Sequence, residues 1–97
     1  MVLSQHKKEI IKNYFANKPI KKAFVFGSYA RNEANELSDL DILVELDNNN
    51  PVGMQFFQYK IELEKLLHLK VDLVPSDGLS PLIEDLIEKD KLLIYEN

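Results

Sequence analysis

Cysteine is absent from this chain of 97 residues, which excludes disulfides and thiolate metal sites and suits a reducing compartment. Arginine is almost absent: Arg31 stands alone beside eleven lysines. These twelve cations face sixteen carboxylates, for a formal net charge of −4. A general nucleic-acid binder carries a basic face that neutralises phosphates. Here the only basic doublets, Lys7-Lys8 and Lys21-Lys22, read as solvated faces, and direct nucleic-acid binding is not expected. No apolar run approaches the roughly 20 residues of a membrane span, and the opening MVLSQHKKEI holds none long enough for a signal peptide. No membrane association and a cytoplasmic location are therefore expected. There is no internal repeat, and low complexity is limited to Asn48-Asn49-Asn50. His6 and His68 have no acidic neighbours at ligand spacing and are expected in solvent.

What is present is an ordinary globular composition, 45% hydrophobic, in a length that suits one domain over 1–97. A chain of this size buries roughly 60–68% of its unfolded surface, enough for a core without covalent staples. Residues 4–17 read as a helix capped by Ser4, with Ile10, Ile11, Tyr14 and Phe15 on one stripe. KAFVF (22–26) reads as a buried strand ending at Gly27, and 28–34 as a short helix beginning at Ser28. Residues 35–38 form a loop. DLDILVEL (39–46) alternates, with Leu40, Ile42, Val44 and Leu46 on one face and Asp39, Asp41, Leu43 and Glu45 on the other. A turn over 47–51 leads to a helix over 53–68, with Met54, Phe57 and Ile61 on one side and Tyr59, Leu63, Leu66 and Leu67 close by. KVDLVP (70–75) is a third strand, followed by a turn at Asp77-Gly78. Ser80-Pro81 starts a helix that buries Leu82, Ile83, Leu86 and Ile87. KLLIY (91–95) suits a last strand. The expected class is α+β: a small mixed sheet packed against helices. Tyr14, Tyr59, Phe56 and Phe57 read as core or interface residues rather than a base-stacking shelf.

Four features carry chemistry. On a strand, Asp39 and Asp41 project from one face, their Cα atoms roughly 6.5–7 Å apart. Carboxylates held that way can converge on hard cations such as Mg²⁺; taken alone, the pair reads equally as a solvated strand edge. Gly27-Ser28 follows an apolar strand, where glycine lets backbone approach a phosphate closely; taken alone, it is a plain strand-to-helix turn. Asp72 sits between Val71 and Leu73, where a carboxylate is costly unless paired, hydrogen-bonded or metal-bound. It reads either as a third ligand or as an edge residue facing water. Arg31 suits a phosphate by its planar fork, or else an ion pair with Glu33 or Glu36.

Together these residues are more specific than any one of them. GSYARNEANELSDLD resembles the signature of the DNA-polymerase-beta-like nucleotidyltransferases, and most closely the minimal nucleotidyltransferase (MNT) family with its GS-x-AR-x-E…SD-x-D pattern. Gly27, Ser28, Ala30, Arg31, Glu33, Ser38, Asp39 and Asp41 match it, as does the ending LLIYE, so that the likeness spans about 22–96. The resemblance implies the polymerase-beta-like fold and catalysis with two Mg²⁺ ions and ATP. Asp39, Asp41 and Asp72 would be the metal and catalytic carboxylates, and Gly27, Ser28 and Arg31 the residues that bind nucleotide. It further implies that the protein is the antitoxin of a two-gene module. Its partner would be a HEPN-domain ribonuclease toxin, which it adenylylates on a Tyr and with which it forms a hetero-oligomer. Two other readings stay open: an antitoxin that only masks the toxin by binding, and a nucleotidyltransferase acting on a small molecule. The three carboxylates are expected to converge near Ser28.

Overall fold

The computed structural model describes residues 3–46, 53–77 and 79–97; the turn expected over 47–51 and the Gly78 half of the second turn lie outside them. Seven elements follow in the order α1 (Gln5–Phe15), β1 (Ile20–Phe26), β2 (Leu40–Leu46), α2 (Gly53–Leu67), β3 (Val71–Pro75), α3 (Pro81–Asp90) and β4 (Leu92–Glu96). The strands form one sheet in the order β3-β2-β1-β4. β1 pairs antiparallel with both β2 and β4, while β2 and β3 run parallel. This is the α+β class with a mixed sheet that the sequence pattern predicts.

Local chemistry sets the boundaries. Ser4 accepts the amide of Lys7 at 3.2 Å and opens α1. Ser80 does the same for Ile83 at 3.4 Å, with Pro81 in the first helical turn of α3. At the end of α2, His68 adopts φ +57° and its amide reaches the Glu64 carbonyl at 2.9 Å, which turns the chain into β3. Both histidines are exposed, as expected.

One face of the sheet carries the core. Ala23, Val25, Leu40, Ile42, Val44, Val71, Leu73 and Ile94 pack against Ile11 and Phe15 of α1 and Tyr59, Leu63 and Leu67 of α2. Tyr14 is half-buried at the α1–α2 seam, where its hydroxyl donates to Glu62 and its ring stands edge-on to Tyr59. Tyr14 and Tyr59 are thus packing residues, and Phe56 packs against the same cluster. Phe57 is 55% exposed.

The opposite face is more open. Register places Phe24 beside Leu43 and Phe26 beside Asp41 there, and α3 covers part of it, with Ile87, Phe24 and Leu43 lining one small cavity. Here the predicted burial of α3 is corrected. Only Ile87 is buried; Leu82, Ile83 and Leu86 are exposed, because the ten-residue helix rests on the sheet through one contact row and no further layer covers it among the described residues. Met54 and Leu66 of α2 are exposed in the same way. No helix of the described residues is long and apolar enough to cross a membrane.

Leu63 is fully buried between α2 and the sheet. Leu63→Ala is expected to cost roughly 2–5 kcal/mol by removing packed methyl groups and leaving a cavity. Urea denaturation monitored by circular dichroism measures this as a lower transition midpoint with an unchanged slope.

Candidate active site

The first strand of the sheet delivers the chain to a tight turn. Phe26 ends β1, and Gly27 follows with φ +74°, a conformation that glycine adopts without steric cost. The residues after it form a turn rather than the predicted helix over 28–34. The amide of Arg31 donates to the Gly27 carbonyl at 3.1 Å and that of Glu33 to the Ser28 carbonyl at 2.8 Å. Asn32, at φ +60°, then turns the backbone left-handed and ends any helical path. Backbone amides near Ser28 therefore belong to a closed loop and not to a helix start.

A second loop leads to the acidic residues. Ser38 Oγ accepts the Asn35 amide at 2.9 Å, the Asn35 side-chain oxygen accepts the Leu37 amide at 2.8 Å, and the Ser38 amide reaches the Asn35 carbonyl at 3.0 Å. This self-bonded turn sets the exit into Asp39. The predicted strand over 39–46 begins one residue later, at Leu40, so Asp39 stands just outside the ladder. Leu40, Ile42 and Val44 are fully buried on the core side, which directs Asp41 to the open face.

Asp72 enters that face from β3. In the parallel β2–β3 ladder it is the register partner of Asp41, and register partners in a sheet share a face. Glu64 of α2 anchors the start of this strand, its carboxylate accepting the Val71 amide at 2.9 Å. That bond, together with Lys60, holds the Glu64 carboxyl below its ordinary range. Asp41 is half-buried while Asp39 and Asp72 are exposed. Burial pushes the Asp41 carboxyl up to about 6, and the charges of Asp72 and Asp39 add to the rise while Arg31 opposes it.

The sequence-predicted residues are thus brought together in part. Gly27 lies directly against Asp41: a Cβ built on it would collide with the Asp41 Oδ2 and stand 3.2 Å from its Cγ. Asp41 and Asp72 are neighbours, and the charge of Asp39 is felt at Asp41. The three do not form a closed metal cage; among the described residues no group of three acidic or imidazole side chains is spaced to hold an ion. Arg31 is held by two carboxylates. Its Nε donates to Glu33 at 3.1 Å and its Nη1 to Asp90 at 2.6 Å. Of the two ion-pair partners foreseen from the sequence, Glu33 is found; Asp90, 59 residues away, is a partner that sequence spacing could not reveal. Glu64, too, escapes a sequence reading, because its role depends on how α2 lies against β3.

The donor set suits a hard divalent cation. It offers carboxylate oxygens, and the Asp41 carboxyl, raised first by burial and then by the neighbouring negative charges, is one that a cation would stabilise in its ionised form. An open sheet face carrying adjacent strand carboxylates, with a glycine turn closed against one of them, defines the class: a nucleotidyltransferase of the polymerase-beta type. The sequence profile described as polymerase beta, nucleotidyltransferase matches residues 9–97, and the chain belongs to this family.

A Methanocaldococcus jannaschii chain provisionally named a protein adenylyltransferase is 43% identical over 96 residues, which cover 97% of this chain and 90% of that one. The protein adenylyltransferase MntA of Thermococcus cleftensis is 41% identical over 78 residues, covering 80% and 74%. A solved structure provisionally named a minimal nucleotidyltransferase superposes with a TM-score of 0.78 at 32% identity, covering 91% and 89%. Two further structures share the fold at 18% identity. One is a toxin–antitoxin with AMP-PNP (TM-score 0.81, covering 93% and 73%). The other is a tri-AMPylated Shewanella oneidensis HEPN toxin in complex with MNT antitoxin (TM-score 0.77, covering 98% and 74%).

Two outcomes are expected. Gly27→Ala forces a side chain into the Asp41 carboxylate at a backbone angle that alanine resists. Nucleotidyl transfer should fall at least about tenfold, by the cost of displacing a group at the reacting centre, while the circular dichroism spectrum stays native. The raised carboxyl of Asp41 has a defined linkage sign. A carboxyl whose folded pKa of about 6 lies above its ordinary value of 3.8 binds more protons when folded, so stability falls as pH rises through that window. Asp41→Asn should therefore raise the melting temperature of the metal-free protein at pH 7–8, and the gain should vanish below about pH 4. Melting curves across pH check both limbs.

Proposed function

We propose that this nucleotidyltransferase transfers AMP from Mg²⁺-ATP to a hydroxyl, a Tyr, of a partner HEPN-domain toxin and so acts as its antitoxin. The observation that carries the reading is the pairing of Asp41 with Asp72 in register on the open face, with Gly27 closed against Asp41. Support for the substrate and partner comes from relatives named protein adenylyltransferases, and from structures of the same fold described as a toxin–antitoxin with AMP-PNP and an AMPylated HEPN toxin with its MNT antitoxin.

The parts take the following roles. Asp41 and Asp72, with Asp39 beside them, would hold Mg²⁺, which would neutralise triphosphate charge and stabilise the charge that develops at the α-phosphorus. Gly27 and Ser28 bring backbone and a hydroxyl to the phosphates. The Tyr oxygen attacks the α-phosphorus, the bond from that phosphorus to the bridging oxygen breaks, and pyrophosphate leaves. Asp72, the more exposed member of the paired carboxylates, accepts the hydroxyl proton. The modified Tyr loses a donor and gains a charged phosphodiester, which repels an RNA backbone at a ribonuclease site.

The test combines the full chain, the cognate HEPN protein and Mg²⁺-ATP. Intact-mass spectrometry should show the toxin heavier by one or more AMP units, and ribonuclease activity should stay low after the two are separated. Asp41→Ala should bind the toxin without labelling it, so that protection disappears on dilution. If Asp41→Ala protects as durably as wild type and no mass is added, the protein works by masking and the enzymatic reading fails.

A further inference from the structure

Arg31 presents an electrostatic puzzle. Its backbone amide bonds to the Gly27 carbonyl at 3.1 Å and Gly27 lies directly against the Asp41 carboxylate, so the side chain leaves the chain beside Asp39, Asp41 and Asp72, a strong attractor for a nearby guanidinium. Yet its hydrogen bonds go to two other carboxylates, Nη1 to Asp90 at 2.6 Å and Nε to Glu33 at 3.1 Å. Asp90 is itself placed against local preference. It is the last residue of α3, where the helix dipole disfavours an acid. A residue that breaks a local rule marks a tertiary role, and here the partner is visible: the one arginine of the chain, in the turn after β1.

We infer that Asp90 is a positioning residue that holds the Arg31 guanidinium off the Asp39, Asp41 and Asp72 carboxylates and so keeps them free for a divalent cation. The inference rests on the nucleotidyltransferase reading of those carboxylates. Glu33 alone, two residues away on the same loop, tethers Arg31 to its own turn and leaves it free to swing. Asp90 supplies the second anchor from a separate element, with a side chain 21% exposed against 62% for Glu33. Without Asp90, the guanidinium falls back onto the carboxylates as an internal counter-ion and competes with metal. The pair contributes little to folding, since partly exposed ion pairs stabilise weakly, so metal binding and stability separate in the test.

Mn²⁺ serves as the probe, its free concentration read by electron paramagnetic resonance during titration of the metal-free full chain without nucleotide or partner. Asp90→Asn should weaken Mn²⁺ binding about fivefold or more while the melting temperature changes little, and Asp90→Glu should retain binding. The double variant Arg31→Ala/Asp90→Asn should return to within about twofold of wild type, since no guanidinium remains to compete. Unchanged binding in Asp90→Asn, or a double variant as weak as the single one, overturns the inference and leaves the carboxylate site standing. If Asp41→Asn binds Mn²⁺ as tightly as wild type, the carboxylate site itself is wrong and the role of Asp90 falls with it.

Discussion

Two carboxylates side by side in a parallel ladder repel each other, and the arrangement of this small protein follows from holding them there. Asp41 and Asp72 are register partners, and burial together with this repulsion raises the carboxyl of Asp41. The opposing force is apolar. Leu40 and Ile42 beside Asp41, and Val71 and Leu73 beside Asp72, are buried on the other face of the same two strands. A one-residue slip of either strand would turn its buried set into solvent. The hydrophobic face thus sets the register, and the register sets the distance between the charges.

Polar contacts refine what the core imposes. Glu64 fixes the first amide of β3, and the Asn35–Ser38 turn fixes the approach to Asp39. Gly27 makes the closest approach. Its missing side chain is the space that the Asp41 carboxylate occupies, so glycine at this position is required by contact as well as by its left-handed backbone. The turn after it is closed by its own amides. Its single arginine is tied to Asp90, which links the last helix to this turn.

The layers divide the work. α1 and α2 bury one face of the sheet and supply the stability, while α3 rests on the other through Ile87 and leaves Asp72 exposed and Asp41 half-buried. A sheet with one face buried and one partly open suits a transferase, because the open face can admit both a nucleotide and an acceptor.

Much of this was legible in order along the chain. Period-two alternation in residues 39–46 and the apolar runs at β1 and β3 revealed the strands. Ser4 and Ser80-Pro81 revealed the helix starts, and Gly27-Ser28 with Asp39, Asp41 and Asp72 revealed the site candidates. These signals are local, and the backbone obeys them locally. The pattern misled where burial depends on a neighbour. Leu82, Ile83 and Leu86 look like a core stripe but face outward, because the number of layers over α3 is not written in α3. The residues after Ser28 look helical, but Asn32 at positive φ and the loop-closing bonds of Arg31 and Glu33 make a turn. The identity and spacing of the chemical groups were determined by the sequence alone. Which of them meet was decided only by the tertiary structure: the register of Asp41 with Asp72, the contact of Gly27 with Asp41, and the reach of Arg31 to Asp90. Each joins residues whose separation along the chain carries no information about their distance in space, until a buried sheet face fixes one strand against the next.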